Sequence, residues 1–181
     1  IDSLRNGLES SFGGKATVGS KYYFAGPLAD VSTEEVRALT LDDFGTYRAF
    51  FQCQHGADAA GAWLAEYFRD IVRFRRCWGI HVDDDLVSVT DAPSIPYMSD
   101  RIVEPGINTL AKFRGRGFAT KVCAAMIAQV LRDKKVPIWS CRSSNIASSR
   151  LAERLGFRLL GQTVTITPVR SCRFGKPGVS Q

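Results

Sequence analysis

Thr109-Leu110-Ala111-Lys112-Phe113-Arg114-Gly115-Arg116-Gly117-Phe118-Ala119-Thr120 is the stretch on which the reading of this chain turns. A strand ends, a glycine-rich turn follows, and a helix begins. The first amides of a helix have no partners within it, and the helix dipole is positive at that end. Such a terminus is an anion site suited to a pyrophosphate. Gly115 and Gly117 let the backbone approach a ligand closely. Arg114 and Arg116 add charge, and Ala119 keeps the helix surface small. No Gly-Lys-Ser/Thr follows, so this is not a Walker loop. The G-x-G-x-x-G dinucleotide fingerprint is absent as well.

Outward from this turn, apolar residues at helical spacing predict a helix over 117–133, with Phe118, Val122, Met126 and Val130 on one stripe. Pro137–Cys141 reads as a buried strand, and Asn145–Leu155 as a short helix stopped by Gly156. Phe157–Leu160 and Thr163–Thr167 read as a pair of strands. Upstream, Arg101–Leu110 is a strand interrupted at Pro105-Gly106, which points to a bulge or a splayed edge. Trp78–Val82 and Leu86–Thr90 form a hairpin about the Asp83-Asp84-Asp85 turn. Asp58–Arg75 and the segment after Thr40-Leu41-Asp42-Asp43 read as helices, the latter opened by a capping sequence. Val36–Leu39 is a short strand. The glycine-broken segment 1–33 is expected to be an arm outside the domain at 34–169, and the basic stretch 170–181 a tail. Strands that partly alternate with helices and partly form hairpins imply an α/β (α+β) fold, with helices on both faces of a mixed sheet.

The chain has 181 residues, 45% of them apolar and 23% charged. That is enough to bury the core of one domain, and it excludes collagen and a disordered chain. No apolar run reaches the length of a membrane span. Five scattered cysteines and two histidines, without CxxC spacing, argue against zinc and a disulfide framework and for a reducing cytoplasm. A net charge of +6 implies an anionic partner. The basic residues lack the interleaved aromatics of a nucleic-acid surface.

Arg114-Gly115-Arg116-Gly117-Phe118-Ala119 resembles the R/Q-x-x-G-x-G/A signature of the GNAT superfamily of N-acetyltransferases. Asn145-Ile146-Ala147-Ser148-Ser149-Arg150-Leu151-Ala152-Glu153-Arg154-Leu155-Gly156-Phe157 is similar to that superfamily's second motif. The two occur in the right order with a helix and a strand between them, and the resemblance covers about residues 35–167. The wording of the second motif is similar to a branch that includes acetyltransferases conferring zwittermicin A self-resistance. The resemblance implies a sheet that splays at a cofactor cleft and acetyl-CoA as co-substrate, with no metal. Ile107, Asn108 and Thr109 would pair with the pantetheine. Amides from Gly115, Arg116, Gly117, Phe118, Ala119 and Thr120 would hold the pyrophosphate. Arg114 and Arg116 would meet the ribose phosphate, and Asn145 would reach the pantetheine or thioester.

Acetyl transfer to an amine needs a neutral amine, a stabilised oxyanion and a protonated leaving thiolate. Glu104, on the strand beside the presumed thioester, is the first candidate for the base. Asp91, Asp100 and a water chain follow. Many superfamily members carry a Tyr seven residues after the motif Asn, and here that residue is Ala152. Ser148 is the first substitute for this acid, ahead of Ser149, Tyr97, Cys141 and solvent. Trp139 and Cys141 are either core or walls of the acceptor pocket. Tyr47, Phe51, Trp63, Tyr67, Tyr97 and Met98, with Asp91 and Asp100, would line that pocket and suit a cationic amine. The expected function is acetylation of a small-molecule amine, without nucleic acid or membrane, with a homodimer as the assembly left open. Acetylation of a protein or peptide amine and a non-catalytic acyl-CoA-binding role are the alternatives.

Overall fold

A computed structural model describes residues 1–93, 98 and 100–168. Two helices are placed by their opening sequences. Thr40 and Asp43 form a reciprocal capping box, after which α2 runs Phe44–His55. Asp43 also receives both ends of the Arg37 guanidinium, at 2.8 and 2.5 Å. This fork ties the helix start to strand β2 (Val36–Ala38). Helix α3 (Trp63–Arg73) turns Leu64, Phe68 and Ile71 inward. These three meet Tyr47 and Phe50 of α2 with Leu39, Cys77 and Val89 in one core.

Strands β3 (Cys77–Val82) and β4 (Asp85–Asp91) form the expected hairpin, antiparallel and in register from Cys77↔Asp91. Side chains alternate across a strand. Thus Cys77 and Val89 face α2 and α3, while Ile80 faces the other side. There α4 (Phe118–Arg132) contributes Val122, Cys123 and Ile127, all buried. The second core continues through Trp139, Ala152 and Leu155, so α4 joins the two halves of the molecule.

Strands β5 (Ile102–Val103) and β6 (Gly106–Thr109) replace the single interrupted strand expected over 101–110. They belong to different sheets. β5 runs parallel to β7 (Val136–Arg142) through Ile102↔Val136 and Val103↔Pro137. After Glu104-Pro105 the chain leaves β7, and β6 pairs with β4 instead. The sheets are ordered β2-β3-β4-β6 and β5-β7-β1-β8, antiparallel except for β5–β7. The bulge signal at Pro105-Gly106 therefore marks the place where the two sheets part.

Two expectations are corrected here. Residues 1–33 are not an outlying arm. Asp2–Phe12 forms α1, and Gly14–Phe24 forms β1, which lies between β7 and β8 and pairs antiparallel with both. Ala16, Ser20 and Tyr22 alternate onto the buried face, and Tyr22 is opposite Trp139. The small residues on that face conceal a period of two. Second, Phe157–Pro168 is one strand, β8, rather than two. Its long pairing with β1 carries it through Gly161-Gln162, with an irregularity opposite Lys21/Tyr22.

Candidate active site

The site begins where β6 and β7 diverge. One edge of β6 pairs with β4; the other faces the gap and pairs with no strand among the described residues. On that edge the backbone groups of 107–109 are open to an added extended chain, apart from the Thr109 carbonyl, which accepts from Arg114 Nε. The chain then passes through a single-turn helix at Ala111–Phe113 into the glycine turn. Gly115 and Gly117 have φ of 76° and 82°. This left-handed region favours glycine. A Cβ built on either would meet nothing within 4 Å, so the turn is open on its outer side. The first ladder bond of α4 runs from Lys121 N–H to Gly117 O at 3.2 Å. The amides of Phe118, Ala119 and Thr120 precede that ladder and are free to receive an anion.

Cations surround this terminus. Arg114 Nε donates to Thr109 O at 3.1 Å, tying the arginine to the end of β6 and leaving its terminal nitrogens outward. Arg116 and Lys112 lie 5.1 and 4.8 Å from the Phe113 ring centroid. Such contacts hold the charges near the turn without neutralising them. The open turn, the free amides and the unpaired edge of β6 fit a long, anionic, partly peptide-like group such as coenzyme A.

Three carboxylates were candidates for the base, and they have different surroundings. Asp100 is exposed, 3.7 Å from Arg101. Glu104 lies at the point of divergence, 3.6 Å from Lys21 Nζ, which also donates to Ser140 Oγ at 2.5 Å. Asp91 ends β4 opposite Gly106 on the face covered by α2 and α3. Tyr47 Oη donates to its Oδ2 at 2.8 Å, and the Tyr67 hydroxyl lies close enough to act on the same carboxyl. Burial pushes the Asp91 carboxyl above its ordinary range, and the two hydroxyls only partly offset this. The same burial raises both tyrosines, so they remain donors. Three elements bring these groups together.

On the opposite strand, Trp139 is wholly buried, so it is core rather than a pocket wall. Its Nε1 donates to Ser148 Oγ at 3.1 Å. An indole N–H can only donate, so the Ser148 oxygen must accept and its own proton is free for another partner. Cys141 is half-buried with Sγ 3.5 Å from Ser149 Oγ. Asn145 caps α5 (Ile146–Arg154), its Oδ1 accepting from Ser148 N–H at 3.1 Å. Trp63, expected in the acceptor wall, is exposed and edge-on to Phe51. Tyr97 lies outside the described residues.

A family model described as GNAT acetyltransferase matches residues 17–166. The chain belongs to the GNAT acetyltransferase family. The match includes all but the first three residues of β1, in agreement with its place inside the sheet. The uncharacterized N-acetyltransferase YdfB of Bacillus subtilis is 30% identical over 105 residues, 58% of this chain and 40% of YdfB. A GNAT-family acetyltransferase from Colwellia psychrerythraea has the same fold, with a TM-score of 0.71 at 18% identity over 83% of this chain and 55% of that one. Salmonella typhimurium yncA, solved with its cofactor acetyl-CoA, gives a TM-score of 0.57 at 18% identity, covering 68% of this chain and 78% of its own. The chain thus spans about half the length, or less, of the first two.

In this GNAT domain the sequence reading missed Lys21, because the segment that holds it was set aside as an arm. The signal lay in the alternation from Ala16 to Tyr22. Tyr47 and Tyr67 were read as wall residues, but the hydrogen bond from Tyr47 to Asp91 has no local signature.

Proposed function

We propose that this domain is an N-acetyltransferase that moves the acetyl group of acetyl-CoA to a primary amine of a small molecule, an antibiotic or metabolite, by direct attack in a ternary complex. The observation that carries this reading is the parting of β6 from β7 immediately before the open Gly115–Gly117 turn. When bound, acetyl-CoA supplies an acetyl group activated as a thioester. Ile107, Asn108 and Thr109 pair with the pantetheine. Amides from Gly115 to Thr120 hold the pyrophosphate, and Arg114 and Arg116 meet the ribose phosphate. The amide nitrogen of Asn145, left over from capping, reaches the pantetheine or the thioester. Glu104 and Asp91 flank the apex as candidate bases. The Ser148 hydroxyl, its oxygen occupied by Trp139, protonates the departing sulfur.

The described cysteines are free thiols, which supports a reducing, cytoplasmic setting. No described helix is long and apolar enough to cross a membrane. The test is titration calorimetry with acetyl-CoA on the native protein and on Gly117→Trp. Binding that is lost in a variant with a native circular dichroism spectrum supports the reading. A folded native protein that does not bind acetyl-CoA refutes it.

A further inference from the structure

We propose that Lys21 and Ser140, at the cleft edge of the sheet β5-β7-β1-β8, bind a carboxylate of the acceptor. The acceptor class is therefore amines with a carboxylate a few bonds from the nitrogen, and among them α-amino acids with an apolar side chain. This rests on the acetyltransfer reading above, and it gives a task to a residue of β1 that neither cofactor binding nor the transfer step uses.

The geometry has three parts. First, Lys21 reaches the cleft edge. From Ile138 onward β7 pairs with β1 on one side, and on the other it pairs with no strand among the described residues, since β5 ends opposite Pro137. Lys21 is the β1 partner of Ser140, and its Nζ donates to Ser140 Oγ at 2.5 Å. Glu104, where the sheets part, lies 3.6 Å from the same nitrogen and holds it there. Second, the pair keeps donors in reserve. A lysine ammonium has three hydrogens, and Ser140 and Glu104 take two of its directions. The Ser140 oxygen accepts from the lysine, so its own proton is free for another acceptor. Two donor atoms 2.5 Å apart, one of them charged, match the two oxygens of one carboxylate. Third, this face of the sheet is open and basic. Tyr22 and Trp139 point into the core against α4 and α5. By alternation Lys21, Tyr23, Ile138 and Ser140 point the other way, and none of these four is buried. Register adds Arg142 and Arg158 to that face. The four strands of the sheet contain no acidic residue, and Glu104, just beyond β5, is already paired. Such an excess of fixed positive charge favours an anionic ligand.

A carboxylate seated on Lys21 and Ser140 lies beside the unpaired edge of β7. An amino group one or two carbons away then extends into the gap between β6 and β7, where the thioester is placed by the reading above. Tyr23 and Ile138, cross-strand partners next to the pair, offer an apolar surface for the side chain of the acceptor. The contact adds no step to the transfer. It fixes where the nitrogen sits and discriminates against amines that lack the carboxylate, which forfeit both hydrogen bonds. Lys21 and Ser140 are specificity-determining residues, and neither moves a proton.

The test uses acceptors that share a skeleton and differ at the carboxyl group: phenylalanine, phenylalaninamide and 2-phenylethylamine, then leucine and 3-methylbutylamine. Release of the free thiol of coenzyme A gives the rates. In each set the amino acid should exceed its uncharged counterparts in kcat/KM by about 10–100-fold, the range for hydrogen bonds to a charged group. In Lys21→Met the ratio of amino acid to plain amine should collapse toward one, and the loss should lie in KM rather than kcat. Ser140→Ala should reduce the same ratio in part, and Lys21→Arg, which keeps the charge, should retain most of it. Circular dichroism and titration with acetyl-CoA establish that each variant is folded and binds cofactor; a purely structural defect would lower all acceptors together and leave the ratio unchanged. If Lys21→Met does not fold, the ratio in Ser140→Ala decides. A native protein that favours the plain amines or the amide, or a preference that survives in the variants, overturns the proposal while leaving acetyltransfer intact. Acetyl-CoA binding with none of these acceptors acetylated also overturns it. Absence of acetyl-CoA binding refutes both.

Discussion

Gly156→Ala tests whether the N-terminal segment is an integral part of the domain. Gly156 follows the last turn of α5 at φ 98°, and its carbonyl accepts from Ala25 N–H at 3.0 Å. A Cβ there would lie 2.4 Å from Pro27 O and 3.2 Å from Phe24 Cε2. Two costs follow. A side chain at positive φ is strained by about 1–2 kcal/mol. Overlap with a backbone carbonyl adds about 1–3 kcal/mol, because a main chain cannot rotate away as a side-chain tip can. The expected loss is thus about 2–5 kcal/mol, a large part of a typical domain's stability. In a chain this long the Tm should fall by about 5–15 °C. Gly115→Ala supplies the control. Its φ is 76°, but a Cβ there meets nothing within 4 Å, so only the strain remains. Urea denaturation followed by circular dichroism gives both values. If the two variants lose the same stability, Pro27 is not packed on Gly156 and the docking of residues 24–27 is wrong.

Two further outcomes are expected. The Arg37 guanidinium and the Thr40 backbone and hydroxyl donors hold the Asp43 carboxyl down at about 2. A folded pKa below the unfolded value contributes stability that is complete above about pH 5 and fades as pH falls toward 2. Asp43→Asn should therefore cost about 1–2 kcal/mol at pH 7, Arg37 being half-exposed, and the gap to native should close on acidification. A gap that stays constant from pH 6 to pH 3 would show that the ion pair is not the source. The thiols also separate by environment: burial pushes Cys123 up to about 12 and raises Cys77, whereas Cys53 is exposed. Iodoacetamide at pH 8 with peptide mapping should label Cys53 rapidly, and Cys77 and Cys123 only in denaturant. Rapid labelling of Cys123 in folded protein would contradict the packing of α4.

What the sequence disclosed, and what it concealed, follows from the range of the forces involved. Helices α4 and α5, the β3–β4 hairpin and the Thr40–Asp43 cap were legible because each is set by side chains within a few residues of one another. The glycine turn was legible for the same reason. Pro105-Gly106 announced an interruption without saying that the chain changes sheets there. Strand β1 was hidden because its buried face uses Ala16, Ser20 and Tyr22, a weak apolar pattern flanked by glycines. The Asp91–Tyr47–Tyr67 group arises only in three dimensions, so its residues could be named while their contact could not. Trp139 read first as core and second as a pocket wall, and the fold buries it and gives its indole N–H to Ser148.

The place of β1 has a kinetic consequence. Phe24 pairs with Phe157 and Gly14 with Pro168, so of the described strands the earliest is completed by the latest. Closing a loop of about 140 residues costs on the order of 4 kcal/mol in chain entropy before any of those pairs form. Topologies dominated by such distant partners fold slowly. During synthesis β1 leaves the ribosome with both edges bare and must wait for β7 and then β8. The half of the molecule built on β2, β3, β4 and β6 needs no such wait. It can assemble with α2 and α3 while β1 and β5 of the other sheet still lack β7 between them, so the two sides of the future cleft come into being at different times.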